Sequence, residues 1–99
     1  MAEKVTKHLI RTNRAGVFYG EIVSLDETTR VAKLANVRRI WYWSGACSLS
    51  QMCMEGVKHP ASCKFSMTVP SVTVFEVIEV LPCTDKACKS IEGVAVWKV

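Results

Sequence analysis

Apolar and polar positions along the chain fall into two regimes. From residue 4 to residue 43, β-branched and aliphatic residues recur at short spacing with polar turns between them. Residues 4–12 predict a strand, and Asn13-Arg14-Ala15-Gly16 supplies turn chemistry, because Asn and Gly accept positive φ at little cost. Residues 17–25 predict a second strand, which makes residues 4–25 a hairpin. After the polar turn Asp26-Glu27-Thr28-Thr29, residues 30–34 and 37–43 predict a third, long strand bent near Ala35-Asn36. The first half of the chain thus reads as an antiparallel meander of three strands.

The period then changes. Ser48 and Gln51 form an S-x-x-Q capping box, and Leu49, Met52 and Cys53 fall on one face at i, i+3 and i+4. Gly56 predicts the end of this short helix, and His59-Pro60 prevents its continuation. Residues 65–69 predict a short strand ended by Pro70. Residues 72–81, dense in Val, Ile and Thr, predict one strand at or near the centre of the sheet. Thr84 caps a second helix with Asp85 in its first turn, Ala87, Cys88 and Ile91 inside and Gly93 at its end. Residues 94–99 predict a last strand. The expected fold is α+β: a single small domain over residues 1–99, an antiparallel sheet and two short helices in the order βββ-α-ββ-α-β.

Composition narrows the function classes. The chain has 99 residues, of which 49% are hydrophobic and 22% charged, the balance of one folded domain. Its longest apolar runs are Ile40-Trp41-Tyr42-Trp43 and Val94-Ala95-Val96-Trp97, against the ~20 residues of a membrane-spanning helix. The first eight residues lack the apolar stretch of a secretory signal. Residues 1–40 carry eight basic and four acidic side chains, whereas residues 41–99 carry five of each, so the net charge of +4 resides in the first part and suits an anionic partner. Five cysteines, Cys47, Cys53, Cys63, Cys83 and Cys88, cannot all pair within one chain. Free thiols in a reducing cytoplasm are expected. No close pair of metal ligands occurs, and neither a metal nor a cofactor is expected. The lone His8 and His59 and the scattered carboxylates offer no nucleophile–base pair, so the expected activity is not enzymatic.

The segment from Arg38 to Gln51 carries the most chemistry. Strand alternation places Arg39, Trp41 and Trp43 on one face and Arg38, Ile40 and Tyr42 on the other, so each face sets a guanidinium beside an aromatic ring. Such a surface suits a nucleobase joined to phosphate: stacking is worth ~1–3 kcal/mol per base, and arginine matches phosphate oxygens. The small residues Ser44-Gly45-Ala46 then lead into a helix N-terminus, where Ser48, Ser50 and the backbone at Gln51 form an anion site. Arg11, Arg14 and Tyr19 are additional candidates. A packing role competes with each of these readings: tryptophans in so small a domain commonly fill the core, and Ser48 is accounted for by capping alone.

Residues 38–51, Arg-Arg-Ile-Trp-Tyr-Trp-Ser-Gly-Ala-Cys-Ser-Leu-Ser-Gln, continue through Met54-Glu55-Gly56-Val57 and Cys63-Lys64-Phe65. Together with Ile78-Glu79-Val80-Leu81-Pro82-Cys83-Thr84 and Ser90-Ile91-Glu92 before Val96-Trp97, they resemble a family of small phage-encoded proteins with an R-x-I/L-W-Y-W-x-G-A-x-S-L-S-Q segment. The resemblance runs from about residue 5 to the end and assigns no binding residue. By analogy with phage anti-CBASS and anti-Thoeris proteins, it suggests a sponge for a nucleotide immune signal. The expectation is a homo-oligomer in the host bacterial cytoplasm. It would hold a cyclic dinucleotide or cyclic ADP-ribose-type molecule between subunits, without cleaving it and without a membrane. A single-stranded nucleic-acid binder and a protein-binding phage inhibitor or virion component are the alternatives.

Overall fold

The computed structural model describes residues 6–98. Strands β1 (Lys7–Thr12), β2 (Val17–Asp26) and β3 (Val31–Tyr42) form the expected meander. Helix α1 (Leu49–Glu55) follows, then a 3-10 turn at Pro60–Ser62, β4 (Lys64–Phe65), β5 (Val69–Val74), β6 (Val77–Pro82) and α2 (Asp85–Glu92). The six strands make one antiparallel sheet in the order β4-β3-β2-β1-β6, with β5 also paired to β3. The fold is α+β.

Strand β3 is long enough to serve two partners. Its first half pairs with β5, from Ala32 opposite Val74 to Val37 opposite Val69, and its end pairs with β4 at Ile40 opposite Phe65. The bend expected near Ala35-Asn36 is present: Asn36 adopts φ +52°, and the β2–β3 register slips between Tyr19 and Glu21.

The stretch expected as one strand over residues 72–81 is two. Glu76 adopts φ +58° and turns the chain, so that β5 lies on β3 whereas β6 lies on β1. The two strands thus occupy opposite flanks of the meander although only Phe75 and Glu76 separate them. The sheet must roll to let them meet. The meeting point is fastened by Val77 N–H donating to the Arg30 carbonyl (3.0 Å) and Asn13 N–H donating to the Glu76 carbonyl (3.0 Å). β6 is consequently a terminal strand in the path rather than a central one.

Other boundaries also shift. β5 passes through Pro70, which an outer strand tolerates because it need not donate to a neighbour there. The expected strand over residues 94–99 is reduced to a bridge between Val96 and Phe65, backed by Trp97 N–H donating to the Phe65 carbonyl at 2.9 Å. Lys4, Val5 and Val99, which the strand expectations included, lie outside the described residues.

Both faces of the sheet are buried, which explains why neighbouring strand residues are apolar in pairs. Ile10 and Phe18 join Leu34, Val37, Val74 and Val77 on the face where β5 and β6 converge. Leu9 and Tyr19, one position away on the same strands, join Ile40 and Phe65 under the helices. There Met52 and Cys53 of α1, then Val57, and Ile91 of α2 close the second core. The helices start as expected: Ser48 Oγ accepts from Gln51 N–H (3.2 Å) and Thr84 Oγ1 accepts from Ala87 N–H (3.1 Å). Cys53 and Cys63 are buried, Cys83 and Cys88 partly so, and Cys47 is exposed; all five are free thiols.

Candidate functional site: an open tryptophan pair beside Arg39

Burial along the end of β3 sorts the candidate residues. Arg38 points under the helices and is only 4% exposed. Its Nε donates to the Ser66 carbonyl (2.8 Å), and its Nη1 donates to the carbonyls of Ile91 (2.9 Å) and Val94 (2.8 Å). The guanidinium lies 5.3 Å from the centre of the Phe65 ring. Burial holds its pKa below the ordinary arginine value. The expectation that Arg38 joins Arg39 in binding phosphate from a neighbouring face is therefore corrected: this side chain is buried and ties β3 to the end of α2.

Arg39 points to the other face. Its guanidinium sits 4.8 Å over the ring of Phe18, and Trp41 follows it on the same side. Arg39, Trp41 and Phe18 border a small hollow of about 140 Å³ with Ser66, Val69 and Val72. Trp41 is 52% exposed and Trp97 50% exposed. Their ring centres are 5.4 Å apart at an interplanar angle of 68°, an edge-to-face pair. Lys64 Nζ lies 5.2 Å over the Trp97 ring. Two open indoles and two cations thus share one patch. Neither Lys64 nor Trp97 stood out in the sequence as part of it, because their approach depends on the chain beyond α2 returning to β4, a long-range contact with no local signal.

Trp43 does not join Arg39 and Trp41. The β3–β4 register slips between Ile40 and Tyr42, and beyond it the indole packs, half-buried, against the helix-covered core. Arg11, Trp43, Ser48 and Ser50 instead border a separate shallow hollow of about 350 Å³ with the carboxylate of Glu79. The expected anion site at α1 is not built. Ser48 Oγ is used as the cap, Gln51 Oε1 accepts from Cys47 N–H (2.8 Å), and the helix has only seven residues. The small-residue run before it serves packing as well: a Cβ on Gly45 would come within 2.4 Å of Lys58 N, and Gly45 itself adopts φ +90°.

Of the additional candidates, Arg14 is exposed at the β1–β2 turn and pairs with Glu76 at 3.5 Å. Tyr19 is 1% exposed and donates to Glu92 Oε2, so it is no stacking platform. Burial raises its pKa well above the ordinary phenol value. Burial likewise pushes the Cys83 thiol up to about 12, which removes it as a nucleophile near neutral pH.

Residues 5–91 match the model of a protein family described as a domain of unknown function, DUF6948. The chain belongs to this family. No curated protein and no solved structure matches it. The DUF6948 span contains Arg39, Trp41 and Lys64 and ends within α2, so Trp97 contributes to the patch from beyond it. No helix among the described residues is long and apolar enough to cross a membrane.

Proposed function

We propose that the protein is a non-catalytic sponge for a nucleotide signal of the cyclic dinucleotide or cyclic ADP-ribose class, acting for a phage in the host bacterial cytoplasm. The observation that carries this reading is the open Trp41 indole bordering the same hollow as the Arg39 guanidinium. A base stacks on an indole face for ~1–3 kcal/mol, and the neighbouring guanidinium takes the phosphate. Trp97 and Lys64 extend the platform on one side. The hollow of about 140 Å³ is smaller than the ~300–1,000 Å³ of an ordinary ligand pocket. A second copy facing the patch would complete the enclosure, which motivates a homo-oligomer.

A thermal-shift panel of cyclic dinucleotides and cyclic ADP-ribose isomers, read together with tryptophan fluorescence, tests the proposal. Stabilisation by one member, lost in Trp41→Ala and in Arg39→Ala, is expected. Absence of any response from folded protein removes the reading.

The pairing of two indoles with two cations also favours a single-stranded nucleic acid, whose successive bases stack while its phosphates meet Arg39 and Lys64. Affinity that falls steeply with salt is its signature. Titration of labelled oligonucleotides at two salt concentrations separates it from the sponge.

A further inference from the structure

On the opposite face of the sheet, Arg38 presents a second, independent feature. A buried cation is ordinarily matched by an anion, because removing an ion from water is costly. Among the described residues Arg38 has no carboxylate partner; three carbonyls and an aromatic ring surround it. Those carbonyls occupy Nε and Nη1 and leave Nη2 buried without a hydrogen-bond partner. The same side chain lines an open hollow of about 220 Å³ together with Lys7, Tyr19 and the exposed Asn36, Thr68 and Glu92. A water molecule takes ~30 Å³ in the liquid, so the hollow is far larger than one bridging water needs.

The hollow is charged in a particular way. It holds two cations, Arg38 and Lys7, and one carboxylate, Glu92. Glu92 Oε2 is already used by Lys7 Nζ at 2.6 Å and by the Tyr19 hydroxyl. Asn36 Nδ2 donates to Glu21 at 2.6 Å. The Arg38 Nη2 group remains as a donor, with Thr68 and Lys7 lining the same hollow. Lys7 and Glu92 also border a wider hollow of about 590 Å³ along α2, with Thr84, Cys88 and Lys89. The Lys7–Glu92 ion pair thus borders both hollows, with its side chains 28% and 44% exposed.

We propose that the hollow at Arg38 binds a small monocarboxylate beside the Lys7–Glu92 pair. The guest's carboxylate takes Arg38 Nη2 and Thr68 and shares Lys7, and its single charge balances the hollow. A phosphate dianion would add a second negative charge beside Glu92 and is disfavoured there.

The test uses the full chain, with sodium acetate and inorganic phosphate titrated at constant ionic strength, followed through the arginine Nε–H resonances. Arg38 is buried and triply held, so its replacement risks unfolding; Lys7→Gln and Thr68→Val probe the site instead. A saturable acetate-induced shift of the Arg38 resonance is expected, at least tenfold weaker in both variants and unchanged in Trp41→Ala, which alters only the aromatic patch. No saturable response to acetate, an equal response in Lys7→Gln and Thr68→Val, or tighter binding of phosphate than acetate would overturn the proposal.

Discussion

The Nη1 of Arg38 donates to the carbonyl of Ile91 at 2.9 Å and so joins the centre of the sheet to the last turn of α2. A charged side chain here does the work of a structural clasp, since Ser66 and Val94 depend on it as well. Removing it takes the donor from the Ser66 and Val94 carbonyls, whereas the Ile91 carbonyl keeps the Val94 N–H at 3.3 Å. Arg38→Leu is therefore expected to cost about 3 kcal/mol or more, whereas Arg39→Leu, which loses one ring contact over Phe18, costs under ~1 kcal/mol. Urea denaturation of the two variants side by side checks the contrast.

The tryptophan pair carries its own coupling. Edge-to-face rings contribute ~0.5–1.5 kcal/mol beyond their buried area. A double-mutant cycle with Trp41→Ala, Trp97→Ala and the double variant is expected to return a coupling in that range. Each single variant is expected to fold, because both indoles are half exposed. Zero coupling would show that the two rings do not rest on each other in solution.

Ser48 is expected to matter for stability and not for ligand. Ser48→Ala removes the cap of α1 and costs ~1 kcal/mol in thermal or urea unfolding. The nucleotide response assigned to Trp41 and Arg39 is expected to stay the same in this variant, because Ser48 borders the other hollow.

Acid sensitivity follows from His8 and Glu92. Burial lowers the His8 pKa below 6.5. Burial alone would raise the Glu92 carboxyl, but hydrogen bonds from Lys7 and Tyr19 and the charge of Lys7 outweigh it and hold the carboxyl below 4.5. Both folded values are depressed, so the unfolded chain takes up the proton first and stability falls as pH falls. For His8 the loss sets in below 6.5, and for Glu92 below 4.5. Unfolding midpoints measured between about pH 7 and about pH 3 are expected to decline throughout, with the lower part of the decline flattened in Glu92→Gln.

Local signals made much of this fold readable. The turn at Asn13-Arg14-Ala15-Gly16, the caps Ser48 and Thr84, and the density of β-branched residues each act within a few positions, and each element they mark is present. The break at Phe75-Glu76 escaped because neither residue is a customary turn former. Glu76 takes its positive φ under tertiary demand, where Val77 and Asn13 must reach Arg30 and Glu76. Alternation correctly set Arg38 and Arg39 on opposite faces, yet it offered both alike as ligand groups beside aromatic rings. Which face the helices would cover depended on packing that no short window contains. The same limit hid Trp97 and Lys64 from the patch around Trp41.

The rolled sheet has a consequence for how the molecule is born. β1 is flanked by β2 on one side and by β6 on the other, with His8 opposite Pro82. The first strand must therefore wait for residues 77–82 to leave the ribosome before its outer margin is covered. Until then the meander exposes an unsatisfied row of amides, and during synthesis the nascent protein is most open to edge-to-edge association with its own kind.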